Sequence, residues 1–217
     1  IGILQRNRVR QFVNRYVFAA KRNNTLELNC GTGEDAIWLA ANSRRVLSTD
    51  ISGSMVEITK NKAAGLANVD TMRLSFTDAG TAAVKGEFDF VFSNFGGLNC
   101  AGETELRELA KLLHTITEDN ATVALVVMSS NCFWENLYFF MKGSRNRRKA
   151  RSMAKLNGIE FPVWYYSPKQ LKNIFAPYFE KQYQKPVGLF IPPSYLNHFF
   201  VRKSFLLKAL SVLETLF

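Results

Sequence analysis

Between Thr25 and Met128 short apolar runs alternate with segments of helical periodicity, and no other feature constrains the fold as strongly. Thr25 to Asn29, Val46 to Thr49, Asp70 to Phe76, Glu87 to Ser93 and Ala121 to Met128 read as strands. Glu34 to Ala41 reads as a helix with Ile37, Trp38 and Ala41 on one face. Ser54 to Ala64 reads as another, capped by Ser54 with Glu57 completing a capping box. Glu103 to Thr117 is a third, with Leu106, Leu109, Leu112, Leu113 and Ile116 inward. The fourth and fifth strands are nearly continuous apolar runs, as expected where helices cover both faces of a sheet. The fold class that follows is α/β, a doubly wound, mostly parallel sheet with helices on both faces.

Outside this core the rhythm changes. Gln5 to Arg22 has helical spacing at Val9, Phe12, Val13, Tyr16, Val17 and Ala20, with arginines between them. Cys132 to Lys155 joins an aromatic half (Phe133, Trp134, Tyr138, Phe139, Phe140) to a basic half (Lys142, Arg145, Arg147, Arg148, Lys149, Arg151, Lys155). Ser167 and Pro168 open a helix toward Ala176. Phe179 to Val187 reads as a strand and Lys203 to Phe217 as an apolar helix. A length of 217 residues suits one domain over 1–217, with 132–162 as a lid or insertion after the fifth strand.

The segment from Leu26 to Asp35 carries the chemistry. A buried strand runs into Asn29-Cys30-Gly31-Thr32-Gly33 and then into a helix. Gly31 and Gly33 leave room for a ligand to approach the backbone at the positive end of that helix. Asp50 ends the second strand, where an acid accepts hydrogen bonds from both ribose hydroxyls of a nucleotide. Gly31-x-Gly33-x-x-Ala36 also satisfies the loose dinucleotide pattern, so the glycines alone leave two cofactor classes open. Glu27 stands within the first strand, where dinucleotide sites usually carry an apolar residue, and Glu34 and Asp35 at the helix start oppose a pyrophosphate but not a cationic sulfonium or ammonium. Ser93-Asn94-Phe95-Gly96-Gly97 follows the fourth strand, on the ligand side of such a sheet.

These segments resemble the class I S-adenosylmethionine-dependent methyltransferases. Glu27 to Gly33 is similar to their first motif, Glu-Leu-Gly-Cys-Gly-Thr-Gly, with Asn29 in place of the first glycine. Thr49-Asp50-Ile51-Ser52 with Met55 resembles the second motif, and Phe88 to Asn94 the fourth-strand motif. The resemblance implies a Rossmann-like fold and S-adenosylmethionine as cofactor. It implies that Glu27, Asn29, Cys30, Gly31 and Gly33 surround the methionine and ribose while Asp50 grips the ribose. Ile51 would cover the adenine, Met55 would pack nearby as contact or core, and Ser75 and Phe76 would meet the base. Asn94 would offer its backbone carbonyl to the cofactor amino group, and Phe95 would flank the methyl-transfer path. Asp78 reads equally as an adenine acid or a turn residue. Tyr165, Tyr166 and His198 are the candidates for a general base, with no catalytic residue assigned. His114 reads as solvated and Cys30 as a packed thiol. Two readings compete: an NAD(P)-binding oxidoreductase, and a non-catalytic nucleotide- or nucleic-acid-binding module on the same fold.

Charge and cysteines bound the rest. A net charge of +10 and a pI of about 9.7 suit an anionic or amphipathic acceptor, here expected to be a small molecule, and are compatible with nucleic acid. Cys30, Cys100 and Cys132 are odd in number and far apart, so neither a disulfide framework nor a metal site is expected. No transmembrane run and no signal-peptide pattern are present, and the expected location is cytoplasmic.

Overall fold

The computed structural model describes residues 1–75, 87–130, 134, 153–156, 159–192 and 204–215. Helix α1 (Gly2–Tyr16) leads into strand β1 (Arg22–Leu28). There follow α2 (Glu34–Asn42), β2 (Ser43–Asp50), α3 (Gly53–Lys62), β3 (Val69–Arg73), β4 (Phe88–Ser93), α4 (Glu103–Ile116) and β5 (Thr117–Leu125). Beyond these lie β6 (Met153–Leu156), β7 (Ile159–Pro162), α5 (Pro168–Phe175) and α6 (Ser204–Thr215).

The first five strands form one sheet in the order β3-β2-β1-β4-β5, with every pair parallel. The chain winds outward from β1 to β3, then returns to the other side of β1 through β4. The strand order therefore reverses between β1 and β4, and the C-terminal ends of these strands are where open α/β sheets bind ligands. On one face Val9 and Val13 of α1 and Leu39 of α2 pack on Val46, Phe90 and Phe92. On the other, Leu106, Leu109 and Leu113 of α4 and Ile174 of α5 pack on Leu26, Leu28 and Val91. Both faces are covered, as the apolar strand runs require.

Several local expectations are corrected. The buried face of α2 is Ala36, Leu39 and Ala40, while Ile37 is 40% exposed. The helix meets the sheet through its small residues, and Ile37 and Ala41 point elsewhere. Helix α3 begins at Gly53 with Ser52 at its N-cap and no side-chain cap bond, so the Ser54–Glu57 box does not form. Asp50 takes the Ser52 N–H at 2.9 Å and starts the helix one residue earlier. Phe179 to Val187 joins no sheet among the described residues, and 180–186 is mostly exposed. Its charged and amide side chains have no apolar face to bury, and Pro186 lacks an N–H. By contrast, α5 starts as read, with Ser167 and Gln170 in a reciprocal capping box and Pro168 in the first turn.

The hairpin of β6 and β7 is antiparallel and was not anticipated. It lies inside the segment read as a lid; the rest of that segment, 132–152 with its basic run up to Arg151, lies outside the described residues apart from 134. At the C-terminal end, the buried Glu214 carboxylate accepts the backbone N–H groups of Gly188, Leu189, Phe190 and Ile191 at 2.6–3.1 Å. Arg8 of α1 donates to the Glu214 carbonyl at 2.7 Å, which ties α6 to α1.

Candidate cofactor and methyl-transfer site

The site begins where β1 stops. Asn29, Gly31 and Gly33 all have positive φ, at 58°, 53° and 76°. Three left-handed residues in five turn the chain sharply over the strand end and into α2. Asn29 thus adopts the backbone conformation that favours the glycine it replaces, which asparagine tolerates better than most residues. Its side chain donates to Ser93 Oγ at 3.3 Å and lies across Gly97. A Cβ on Gly97 would fall 2.4 Å from Asn29 Cβ. The missing glycine at 29 is offset by a glycine at 97.

The turn is held from two sides. Asp50 accepts the Gly31 N–H on one carboxylate oxygen and the Ser52 N–H on the other, both at 2.9 Å. Thr59 of α3 donates to the Gly31 carbonyl at 3.0 Å and packs under Gly33, where a Cβ would lie 3.0 Å from it. A Cβ on Gly31 would meet no heavy atom within 4 Å, so its exposed side is open to a ligand. Cys30 is buried with Thr59 Oγ1 directed at its sulfur, and burial pushes the thiol to about 12. It is a packed thiol, inert near neutrality.

Just before the turn, Glu27 is buried between β1 and β2 and accepts from Ser48 Oγ at 2.6 Å. Burial raises its carboxyl from 4.5 to about 8, chiefly through desolvation, with the neighbouring Asp35 charge adding to it. The two acids that open α2 are both paired. Glu34 meets Lys62 Nζ at 2.5 Å, which lowers its carboxyl below the ordinary range. Asp35 is buried against Arg10 and Arg6. Their charges are answered inside the protein by Lys62, Arg10 and Arg6.

Of the other expected contacts, Ile51 is 58% exposed beside the turn, Met55 is half-buried on α3, and Ser75 is buried just past β3. Asn94 is buried after β4, and Phe95, at φ 54°, is 47% exposed. Phe76, Asp78 and His198 lie outside the described residues. Tyr166 is not poised as a base: its hydroxyl donates to the Ala101 carbonyl, and burial raises it to about 12. His114 is exposed, as read, with its ring near Tyr178. Cys30 and Cys100 are free, and among the described residues no cluster of His, Cys, Asp and Glu could hold a metal. No helix there is long and apolar enough to cross a membrane.

Sequence reasoning missed Arg6 and Arg10. They stand four apart on α1 and therefore share a face, and Arg6 lies over the Phe95 ring at 4.4 Å. It also missed Asn99, whose side chain joins Met128 and Trp164 backbone groups across the end of β5.

A β3-β2-β1-β4-β5 parallel sheet is a doubly wound architecture on which nucleotide cofactors are commonly bound. Here it carries a glycine turn after β1, an acid closing β2 and an Asn–Phe turn after β4, and it is of the kind that methyltransferases use. Residues 25–120, β1 into β5, match a family profile described as a methyltransferase domain. The fold is similar to that of the PH0226 protein from Pyrococcus horikoshii OT3, with a TM-score of 0.61 at 16% identity, covering 84% of this chain and 85% of that one. It is also similar to an S-adenosylmethionine-dependent methyltransferase from Clostridium acetobutylicum ATCC 824, with a TM-score of 0.56 at 13% identity, covering 80% and 78%. A third likeness is to a structure described as "Conversion of a Disulfide Bond into a Thioacetal Group during Echinomycin Biosynthesis". Its TM-score is 0.55 at 21% identity, over 76% of this chain and 65% of that one. No curated protein sequence matches significantly. The matched segment, residues 25–120, is thus a methyltransferase domain by its profile, set in the Rossmann-like fold of S-adenosylmethionine-dependent methyltransferases.

Proposed function

We propose that this protein transfers the methyl group of S-adenosylmethionine to a small-molecule acceptor. The observation that carries the reading is Asp50, which ends β2 and accepts the Gly31 N–H in the turn that follows the strand of buried Glu27. A nucleotide-binding turn and its ribose acid are thereby joined, and Glu27, two residues before Asn29, adds a carboxyl group suited to a cationic ligand. Each Asp50 oxygen accepts one backbone N–H and keeps a lone pair for a ribose hydroxyl. Glu27, Asn29, Cys30, Gly31 and Gly33 are the residues that would hold the methionine and ribose. Ile51, Met55, Ser75 and Phe76 would hold the adenine, and Asn94 would take the amino group on its backbone carbonyl.

When bound, the cofactor supplies a methyl group on a sulfonium, an electrophile that needs alignment and water exclusion more than a strong acid. Phe95 supplies apolar surface past the end of β4, and the turn residues fix the geometry. No side chain is assigned as a general base. A similar structure is described by the conversion of a disulfide bond into a thioacetal group during echinomycin biosynthesis, which favours a small-molecule acceptor here. The segment 132–162 is proposed as the lid, closing over an anionic or amphipathic acceptor with its aromatic and basic halves.

Calorimetry with S-adenosylhomocysteine and, separately, with NAD tests the cofactor. Binding of the first and not the second is expected; the reverse would move the chain to the oxidoreductase reading. Incorporation of labelled methyl into small-molecule fractions of a cell extract tests the acceptor. Label found only in macromolecules would overturn it.

A further inference from the structure

Asp35 has no place in the family motifs, yet it is a buried side chain beside the site with three hydrogen bonds of its own. It sits in the first turn of α2, 5% exposed. Arg10 donates to Oδ1 from Nε at 2.9 Å and from Nη2 at 2.7 Å. Asn94 Nδ2 donates to Oδ2 at 2.9 Å. Arg6 Nε stands 3.4 Å from the same oxygen, an ion pair without hydrogen-bond alignment. One carboxylate therefore holds helix α1 on one side and the turn after β4 on the other.

The second link starts at Asn94. Its side-chain carbonyl accepts the Phe95 N–H at 2.8 Å. Phe95 has φ 54°, a left-handed conformation that a phenylalanine adopts only when its surroundings impose it. Asn94 holds the Phe95 backbone, and the Arg6 guanidinium covers the Phe95 ring at 4.4 Å. Both restraints lead back to Asp35.

We infer that Asp35 is a positioning residue for methyl transfer: acting through Asn94 and Arg6, it locks the Asn94–Phe95 turn and makes helix α1 a wall of the site. This rests on the methyltransferase reading for its consequence but not for its geometry, so the two fail separately. Asp35 touches neither cofactor nor acceptor in this account. Asn94 would meet the cofactor through its backbone, which a side-chain change leaves intact.

The test uses the full chain and two readouts: hydrogen-exchange protection of the Phe95 amide, and calorimetric affinity for S-adenosylhomocysteine, both measured well below the melting temperature. Asp35→Asn keeps the shape and removes the charge. It should lower Phe95 protection and weaken binding, each at least about tenfold, as expected when charge-assisted bonds at a buried acid are lost. Arg10→Lys keeps a cation at Asp35 but not the two guanidinium bonds to Oδ1, so a smaller loss of both than in Asp35→Asn is expected. Asn94→Ala should reproduce the loss, and adding Asp35→Asn to it should change Phe95 protection little further, because the link is already cut. Asn94→Ala also stands alone as the test if Asp35→Asn does not fold. Unchanged Phe95 protection in Asp35→Asn, despite a lower melting temperature, would reduce Asp35 to a packing contact. Equal effects of Asp35→Asn with and without Asn94 would equally overturn the inference. If the unaltered protein binds no S-adenosylhomocysteine, the cofactor reading fails while Phe95 protection still decides the role of Asp35.

Discussion

Replacing Glu27 by Gln probes the floor of the site. Glu27 is buried and its carboxyl is raised from 4.5 to about 8, mainly because burial disfavours the charge. Near pH 7 the folded, ligand-free protein therefore holds this proton on roughly nine molecules in ten. Between pH 4.5 and about 8 the unfolded chain has released it and the folded chain has not. The unfolded state then binds fewer protons, so stability falls as pH rises, by up to about 1.4 kcal/mol per pH unit from this group. The contribution is fully present below 4.5 and is lost through about 8. Glutamine is a near-isostere that never ionises, so Glu27→Gln removes the slope. Urea unfolding from pH 5 to 9 should show the variant gaining on the unaltered protein by roughly 3–4 kcal/mol between the ends of the range. Binding adds a second signature. A cationic ligand end favours the ionised form, so S-adenosylhomocysteine should displace up to about one proton per site near pH 7. This is measured by calorimetry in buffers of differing ionisation enthalpy, and the variant should lack it. Parallel stability profiles for the two proteins would mean that Glu27 is ionised in the fold, and the argument from burial would be wrong.

Other outcomes follow from the same geometry. Asp50→Ala removes the proposed ribose acceptor and two bonds that hold the turn; affinity for S-adenosylhomocysteine should fall at least about tenfold, with faster exchange of the Gly31 amide. Gly31→Val should abolish binding and cost about 1–2 kcal/mol of stability from φ 53° alone; normal binding would leave Gly31 as a turn residue only. Gly97→Ala should destabilise by about 1–3 kcal/mol through its clash with Asn29, and Asn29→Gly in the same chain should restore most of that in thermal melts. Neutralising Arg147, Arg148 and Arg151 together should leave cofactor affinity unchanged and impair acceptor use in a salt-sensitive manner; undiminished turnover would remove the lid.

Much of the fold was legible because its signals are local. An apolar run followed by Asn29-Cys30-Gly31-Thr32-Gly33 can only turn sharply out of a buried strand, and α4 buries the leucines its spacing announces. What escaped depends on contacts distant in sequence. Which face of α2 meets the sheet is set by how closely the helix approaches, and that favours Ala36 and Ala40 over the larger Ile37. The cap of α3 moved because an acid from β2 reached its first N–H. The β6–β7 hairpin did carry a sequence signal, Asn157-Gly158 between two short runs, masked by the basic residues that precede it.

The site divides along the same line. Residues proposed to meet the cofactor obey narrow steric or chemical rules, and such rules are written in one residue type at one position: glycine at 31 and 33, an acid at 50. Residues that hold those in place obey only pairing rules, which several residue types satisfy from anywhere in the chain. Asn29 shows how the two interact. A glycine position was given up without giving up its φ, and the added side chain was accommodated 68 residues later, at Gly97. Read alone, Asn29 is a departure from the family motif. Read with Gly97 and Ser93, it is a bridge between the ends of β1 and β4, the two strands between which the sheet order reverses.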